Sequence, residues 1–395
     1  MKKNMLKIMG IAITCLVFLT GAHQVKAEDD SVSIHGFVSQ GYLKSSDNNF
    51  LVESDDGSFQ FNEMGLNFGY DTGGNVKIGA QLFARDLGDI GEDKVTVSWA
   101  YGDYKWRDWL GFRAGIMKLS LGLYNESRDV DSLRTCLILP QSVYNEGFRD
   151  VAQGTKGVAL YGNVPLGVGG ILKYNFNMLD VQVPLDSGTA SFIKQRNPKI
   201  GEIYSFDFEN VFWGDLKWYT PLEGLLLGVG GYNTKSLWEV SWSHPVLPNT
   251  YIPLDIDNKY QRAMTYSIEY TFQNLVLASE CQIADRKFSA YPKGSPTNIY
   301  DKTKSTSYYF SAAYRFTEWF EAGTYYSYGT ADDDGSGDAN ELTDICLSTR
   351  FDITDNMIFK LEAHSMDGLF GAQPGDDGNT DDKWMLYASK VSYTF

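Results

Sequence analysis

The sequence has no basic excess to offer a polyanion. Lys and Arg number 34 against 50 Asp and Glu, for a net charge of −16. That opposes nucleic-acid binding, which needs a basic surface, and adhesion to anionic lipid. Cysteine is scarce too, at four residues. Cys15 lies in an apolar N-terminal run, and Cys136, Cys281 and Cys346 are widely scattered. An odd, dispersed set makes neither a disulfide framework nor a zinc motif. Beyond the N-terminal run there is no stretch of about 18 apolar residues, which a transmembrane helix needs. Histidine is nearly absent: beyond the first 27 residues only His35, His244 and His364 occur. There is no G-x-S-x-G elbow and no phosphate-cradling P-loop. These absences leave no cofactor motif and little catalytic inventory.

The N-terminus reads as a leader. "MKKNMLKIMGIAITCLVFLTGAHQVKA" carries Lys2, Lys3 and Lys7 before an apolar run from Ile8 to Leu19 and ends on Val25-Lys26-Ala27. This is the form of a secretory signal peptide, cut after Ala27. Cys15 lies too early to be a lipid anchor at that cut. Losing the leader's four lysines takes the net charge from −16 to −20. Residues 28–395 then form one domain.

What is abundant is aromatic residues and glycine: 25 Tyr, 23 Phe, 9 Trp and 39 Gly. They fall in segments that alternate with period two. In "NEMGLNFGY", Met64, Leu66, Phe68 and Tyr70 share one face. In "MTYSIEYTF" the face is Met264, Tyr266, Ile268, Tyr270 and Phe272. "SYYFSAAYRF" and "DICLSTRFDI" repeat the pattern, with Arg315 and Arg350 on their polar faces. One face is aromatic and the other charged, which fits lipid outside and water inside. Such a barrel hides its membrane signal, because apolar residues take only every second position.

The connections alternate short and long. Short turns fall at 71–75, 107–109, 164–167, 220–224, 273–274, 317–319 and 354–356; long loops at 44–57, 87–93, 119–155, 180–203, 234–260, 288–304, 329–341 and 366–382. Seven turns and eight loops join 16 strands, the eighth expected at 205–219. A hairpin hidden in 180–203 or 234–260 would raise the count to 18. The expected fold is an all-β transmembrane antiparallel barrel, with even strand number and unequal ends. It must close, because lipid cannot satisfy an open sheet edge. The tail "ASKVSYTF" is the closing strand, with Tyr393 and Phe395 on its lipid face.

The longest connection, 119–155, holds Glu126, Arg128, Asp129, Asp131, Arg134, Glu146, Arg149 and Asp150, with Leu137, Ile138, Leu139 and Val143 between them. Charges of both signs with apolar anchors suit docking against an inner wall. Inward basic residues include Arg85, Arg113, Lys173, Arg315 and Arg350, and charge at membrane depth implies water or a partner. Arg85, Arg113 and Lys173 are expected opposite the loop's carboxylates, sorting solutes by charge.

At this loop the sequence resembles a family. "FRAGIMKLSLGLYNESRDVDSLR" (112–134) sets Arg113, Gly115, Lys118, Ser120, Gly122 and Leu123 in the order of the run that leads into the third loop of 16-strand Gram-negative outer-membrane porins, phosphate-selective-porin-like proteins in particular. Ser120 stands where the family usually has Pro. The resemblance implies a third loop folded into the lumen, Glu126, Arg128, Asp129, Asp131 and Arg134 at a constriction, and a homotrimer in outer-membrane lipid. It also implies insertion by the barrel-assembly machinery, which reads the aromatic C-terminus. The implied function is passive diffusion of small hydrophilic solutes, without reaction, metal or cofactor. The alternatives are selection of a phosphate-like oxyanion or a sugar, and, in another class, an outer-membrane hydrolase or a non-conducting barrel. Trp238, Trp242 and Tyr251 are candidates for sugar stacking. Asp332, Asp334, Ser336, Asp338 and Asn340 follow a calcium-loop spacing, but Thr343 replaces its closing Glu.

Overall fold

The computed structural model describes residues 32–209, 211–244, 246–247, 249–292, 299–333 and 340–395. The leader and the centre of the calcium-like loop lie outside the described residues. Apart from a two-residue pair, Asn49–Phe50 with Ala372–Gln373, the strands in chain order are β1 (Val32–Ser45), β2 (Asn62–Asp71), β3 (Val76–Asp86), β4 (Thr96–Arg107), β5 (Leu110–Met117), β6 (Thr155–Pro165), β7 (Ile171–Asp180), β8 (Ile200–Phe208) and β9 (Val211–Tyr219). They continue as β10 (Leu225–Ser243), β11 (Tyr251–Phe272), β12 (Leu275–Pro292), β13 (Ile299–Arg315), β14 (Phe320–Thr330), β15 (Glu341–Thr354), β16 (Met357–Gly368) and β17 (Lys383–Thr394).

All but β8 form a closed antiparallel ring of sixteen. β17 closes it by pairing with β1 from Phe37↔Thr394 to Ser45↔Leu386. The alternation that suggested strands also sets their faces. Ile34, Phe212, Phe310 and Leu347 are each more than half exposed on the outer surface. In lipid, each such side chain gains about 1.5–3 kcal/mol relative to water. At the rim of the short turns the outer surface carries rings such as the Trp106–Trp109 pair, 5.6 Å apart, and Trp319 stacked on Phe351. Such aromatic rings gather at the edges of a membrane.

All seven short turns fall where the alternation breaks. Two features differ from the sequence expectation. The eighth stave is split: β8 and β9 pair with successive parts of β10, and the register changes between Phe208↔Ser236 and Phe212↔Asn233. Only β9 also pairs with β7, which ends at Asp180. Beyond that point β8 packs instead against the helix Gly188–Arg196, whose Ala190 and Ile193 cover Ile200, Ile203 and Val240. Second, 234–260 and most of 288–304 are not loops, because β10 and β11 stay paired from Leu225↔Tyr270 to Ser243↔Tyr251, and β12 and β13 from Leu275↔Tyr314 to Ala290↔Ile299. Trp238 and Trp242 are therefore strand residues packed against that same cluster, and Trp238 meets Phe206 edge-on at 5.1 Å.

Candidate functional site

The segment between β5 and β6 folds inside the barrel and bonds to its inner face at many points. Local turns shape it: three short 3-10 turns at Asn125–Ser127, Asp131–Leu133 and Glu146–Phe148, then one helical turn at Arg149–Ala152. Three apolar contacts anchor it. Leu137 and Ile138 pack with Leu43, Phe61, Met366 and Leu386. Leu139, Val143 and Tyr144 meet Tyr309. At its root, Leu119 and Ala152 meet Ala159, Leu179 and Trp213.

Polar contacts run between these anchors. On the β16–β17 side, Lys390 Nζ lies 2.9 Å from Asp131 Oδ2 and 2.6 Å from Glu63 Oε2. Lys360 Nζ donates to the Asp131 carbonyl at 2.7 Å and the Cys136 carbonyl at 3.1 Å. Ser392 Oγ donates to Asp131 Oδ2 at 2.6 Å. Glu362 accepts the backbone N–H groups of Leu137 and Ile138, the latter at 2.9 Å. Across the lumen, Glu280 accepts from the Tyr144 hydroxyl, from Tyr309 Oη at 2.9 Å and from Leu123 N at 3.0 Å. Gly122 makes that approach possible. It has φ +59°, and a Cβ there would lie 2.4 Å from Glu280 Oε1 and 2.6 Å from Tyr144 Oη.

The loop's centre is a lattice of buried ion pairs. Glu146 takes Arg85 Nη1 at 2.6 Å and Arg128 Nη2 at 2.7 Å, and Arg149 Nη1 at 3.4 Å. Arg149 also pairs with Glu63, and Arg85 Nη2 with Asp150 at 2.9 Å. Burial alone would favour a protonated Glu146, but Arg128, Arg149 and Arg85 outweigh it and hold its carboxyl well below the usual range. Asp129 takes Lys118 at 2.6 Å and Gln81 at 2.7 Å. Arg134 folds back on Asp131 at 3.2 Å. Among the described residues, only one charged residue of the loop has no ion pair: Glu126, which is exposed. It lies within electrostatic range of Arg113, Tyr101 and Asp215, on β5, β4 and β9.

Of the three wall cations expected opposite the loop's carboxylates, only Arg85 meets them. Arg113 is taken by Asp103 on the adjacent strand at 3.0 Å and lies over the Tyr101 ring at 4.3 Å. Lys173 sits near the short turns, directly across from Lys217 and over Tyr219. Arg315 binds Glu321 and Asp352 near the same rim. Arg350 binds Asp352 and reaches the loop at the Ser132 carbonyl, each at 2.6 Å. Glu63, Arg85, Lys360, Glu362 and Lys390 on the inner faces of β2, β3, β16 and β17 are thus partnered by the loop. Gln81 and Ser392, which lack a charge, gave no signal in the sequence. His364 faces inward and Ser365 outward, so they form no catalytic pair.

A closed ring of sixteen strands, apolar and aromatic outside, with its longest loop bonded to the inner wall, defines the outer-membrane porin fold. The chain matches no family model and no curated protein. Its fold is that of solved outer-membrane proteins, porins among them. In-vitro-folded OmpT, an outer membrane protein of Vibrio cholerae, superposes with a TM-score of 0.61 at 11% identity, covering 95% of this chain and 100% of that one. Salmonella typhi OmpF gives 0.58 at 11% identity, over 92% and 97%. An anion-selective porin from Comamonas acidovorans gives 0.53 at 14% identity, over 92% and 99%.

Proposed function

We propose that this chain is an outer-membrane porin through which small hydrophilic solutes diffuse passively, with cations preferred, past a third loop that narrows the lumen. The observation that carries the reading is the state of the loop's charges. Every arginine and lysine it holds is tied to a carboxylate, and the exposed charge left over is Glu126. On the nearby wall Arg113 is neutralised by Asp103, while Asp215 accepts a hydrogen bond from Ser120 Oγ without an ion pair among the described residues. On the Glu126 side such a passage is acidic and attracts cations. Among the described residues, the arginine beside Glu126, Arg113, is already paired, which disfavours the phosphate-selective reading.

The leader 1–27 directs export and is removed. Both ends of the mature chain then lie in the periplasm, with the short turns. The aromatic end is read by the barrel-assembly machinery. One similar structure is a trimer form of Vibrio cholerae OmpT, which supports a homotrimer here. Swelling of liposomes that hold the purified protein tests the reading. Uptake of small neutral sugars, with cationic amino acids entering faster than anionic ones of the same size, is the expected result. No swelling with any solute would refute it.

A further inference from the structure

Four buried side chains on the inner face of β15 and β16 converge beside the loop. Cys346 stands directly across from His364 in the strand register. Asp344 and Glu362 are their next inward neighbours. His364 Nδ1 lies 3.0 Å from Asp344 Oδ1, and Nε2 lies 3.2 Å from Glu362 Oε2. One donor atom each from Cys346, Glu362 and His364 lie within 4.8 Å of one another. Cys346 and His364 have no solvent exposure, and the loop's Leu137 and Ile138 N–H groups rest on Glu362. From the loop, the Cys136 thiol comes within electrostatic range of Glu362 and His364.

We propose that Cys346, Glu362 and His364 bind one Zn²⁺ ion in the barrel wall. A thiolate sulfur, an imidazole nitrogen and a carboxylate oxygen are the donor set zinc takes, and sulfur and nitrogen donors exclude the oxygen-seeking Ca²⁺ and Mg²⁺. Asp344 completes the arrangement. Its carboxylate accepts from Nδ1–H and turns Nε2 toward the metal, as an outer-sphere carboxylate does in histidine–zinc sites. Tyr325 Oη holds Asp344 Oδ2 at 2.9 Å. Two carboxylates crowded on one imidazole in a dry site are costly, and a dication between Nε2, Oε2 and Sγ offsets that charge. Binding displaces the thiol proton and any proton on Nε2. Because Glu362 also carries the loop's backbone, the metal would fasten the loop to the wall. The inference does not depend on whether the barrel conducts.

The test is refolding of the full barrel into detergent with Zn²⁺ or Co²⁺ as the only divalent metal, then passage over a chelating resin. One metal should remain per heat-modifiable barrel, and the Co²⁺ form should show a sulfur-to-metal charge-transfer band. Cys346→Ser, a near-isosteric change, should fold, lose that band and weaken binding by more than about 100-fold. Asp344→Asn should weaken it by about 10–100-fold, the usual effect of an outer partner. A folded barrel that retains no metal would overturn the proposal. So would Cys346→Ser binding as tightly as the parent, or a Cys136–Cys346 disulfide in the folded chain.

Discussion

Lys360 and Lys390 stand directly opposite each other on neighbouring strands, and Asp131 of the third loop holds both. Like charges across a strand pair repel. The loop is therefore part of what makes this stretch of wall stable. Replacing Asp131 with Ala keeps the backbone carbonyl that Lys360 binds, but takes the carboxylate away from the buried Lys390 ammonium and from Arg134. Breaking a buried pair in this way costs about 3–5 kcal/mol. The barrel should unfold at lower temperature in a gel-shift series. Its loop should also sit more loosely, giving noisier and larger single-channel currents than the parent.

Gly122→Ala attacks the opposite anchor. The new methyl group would drive into Glu280 and Tyr144, at a residue whose φ of +59° disfavours a side chain. Local strain of this kind costs about 1–3 kcal/mol. Limited proteolysis of the folded barrel should cut within 119–155 in the variant and not in the parent.

Glu126 is exposed and carries no ion pair among the described residues, so Glu126→Gln should change stability by no more than about 0.5 kcal/mol. Its effect should appear in selectivity. In a salt gradient the reversal potential should move toward the anion side, and Glu126→Lys should move it further. An unchanged potential would show that ions do not pass this side chain.

The pH dependence follows from Glu146. Its carboxyl is held below the ordinary range in the folded state, where three arginines surround it. Its stabilising contribution is therefore complete above the unfolded value of about 4.3 and lost only as pH falls through the depressed one. The loop should stay docked, and resistant to proteolysis, from pH 7 to about pH 4. Acid-induced loop movement should appear only below that, and at higher pH in Arg128→Ala.

Deleting Tyr393–Phe395 removes the end of the seam. Phe395 exchanges two backbone hydrogen bonds with Gly36, each at 3.0 Å, and its ring lies more than half exposed on the outer surface. The truncated chain should give a lower yield of heat-modifiable barrel, whereas Phe395→Tyr, which keeps an aromatic end, should assemble normally.

The strand count was legible because lipid imposes a strict rule. Every second residue must be apolar, and Met64, Phe68, Tyr266, Phe310 and Leu347 obey it. Where the sheet leaves the membrane that rule lapses. The upper halves of β10 and β11, with Lys235, Glu239, Asp255 and Asp257, read as loop although their backbones stay paired. The break in the eighth stave was invisible for another reason: it depends on where β7 stops and a helix takes over. At the loop, composition showed that docking was favourable but not to what. Asp131 meets Ser392 across 261 positions of sequence, and no local spacing encodes that contact. The cluster of Cys346, Glu362 and His364 was hidden likewise. Its members become neighbours only through the register of two strands, so cysteine spacing gave them no motif.

The most direct test of the central claim is single-channel recording of the purified protein in a planar bilayer under a potassium chloride gradient. The account predicts discrete, stable conductance steps and a cation-selective reversal potential. Pure barrel that inserts but passes no current, or a reversal potential on the anion side, would contradict it.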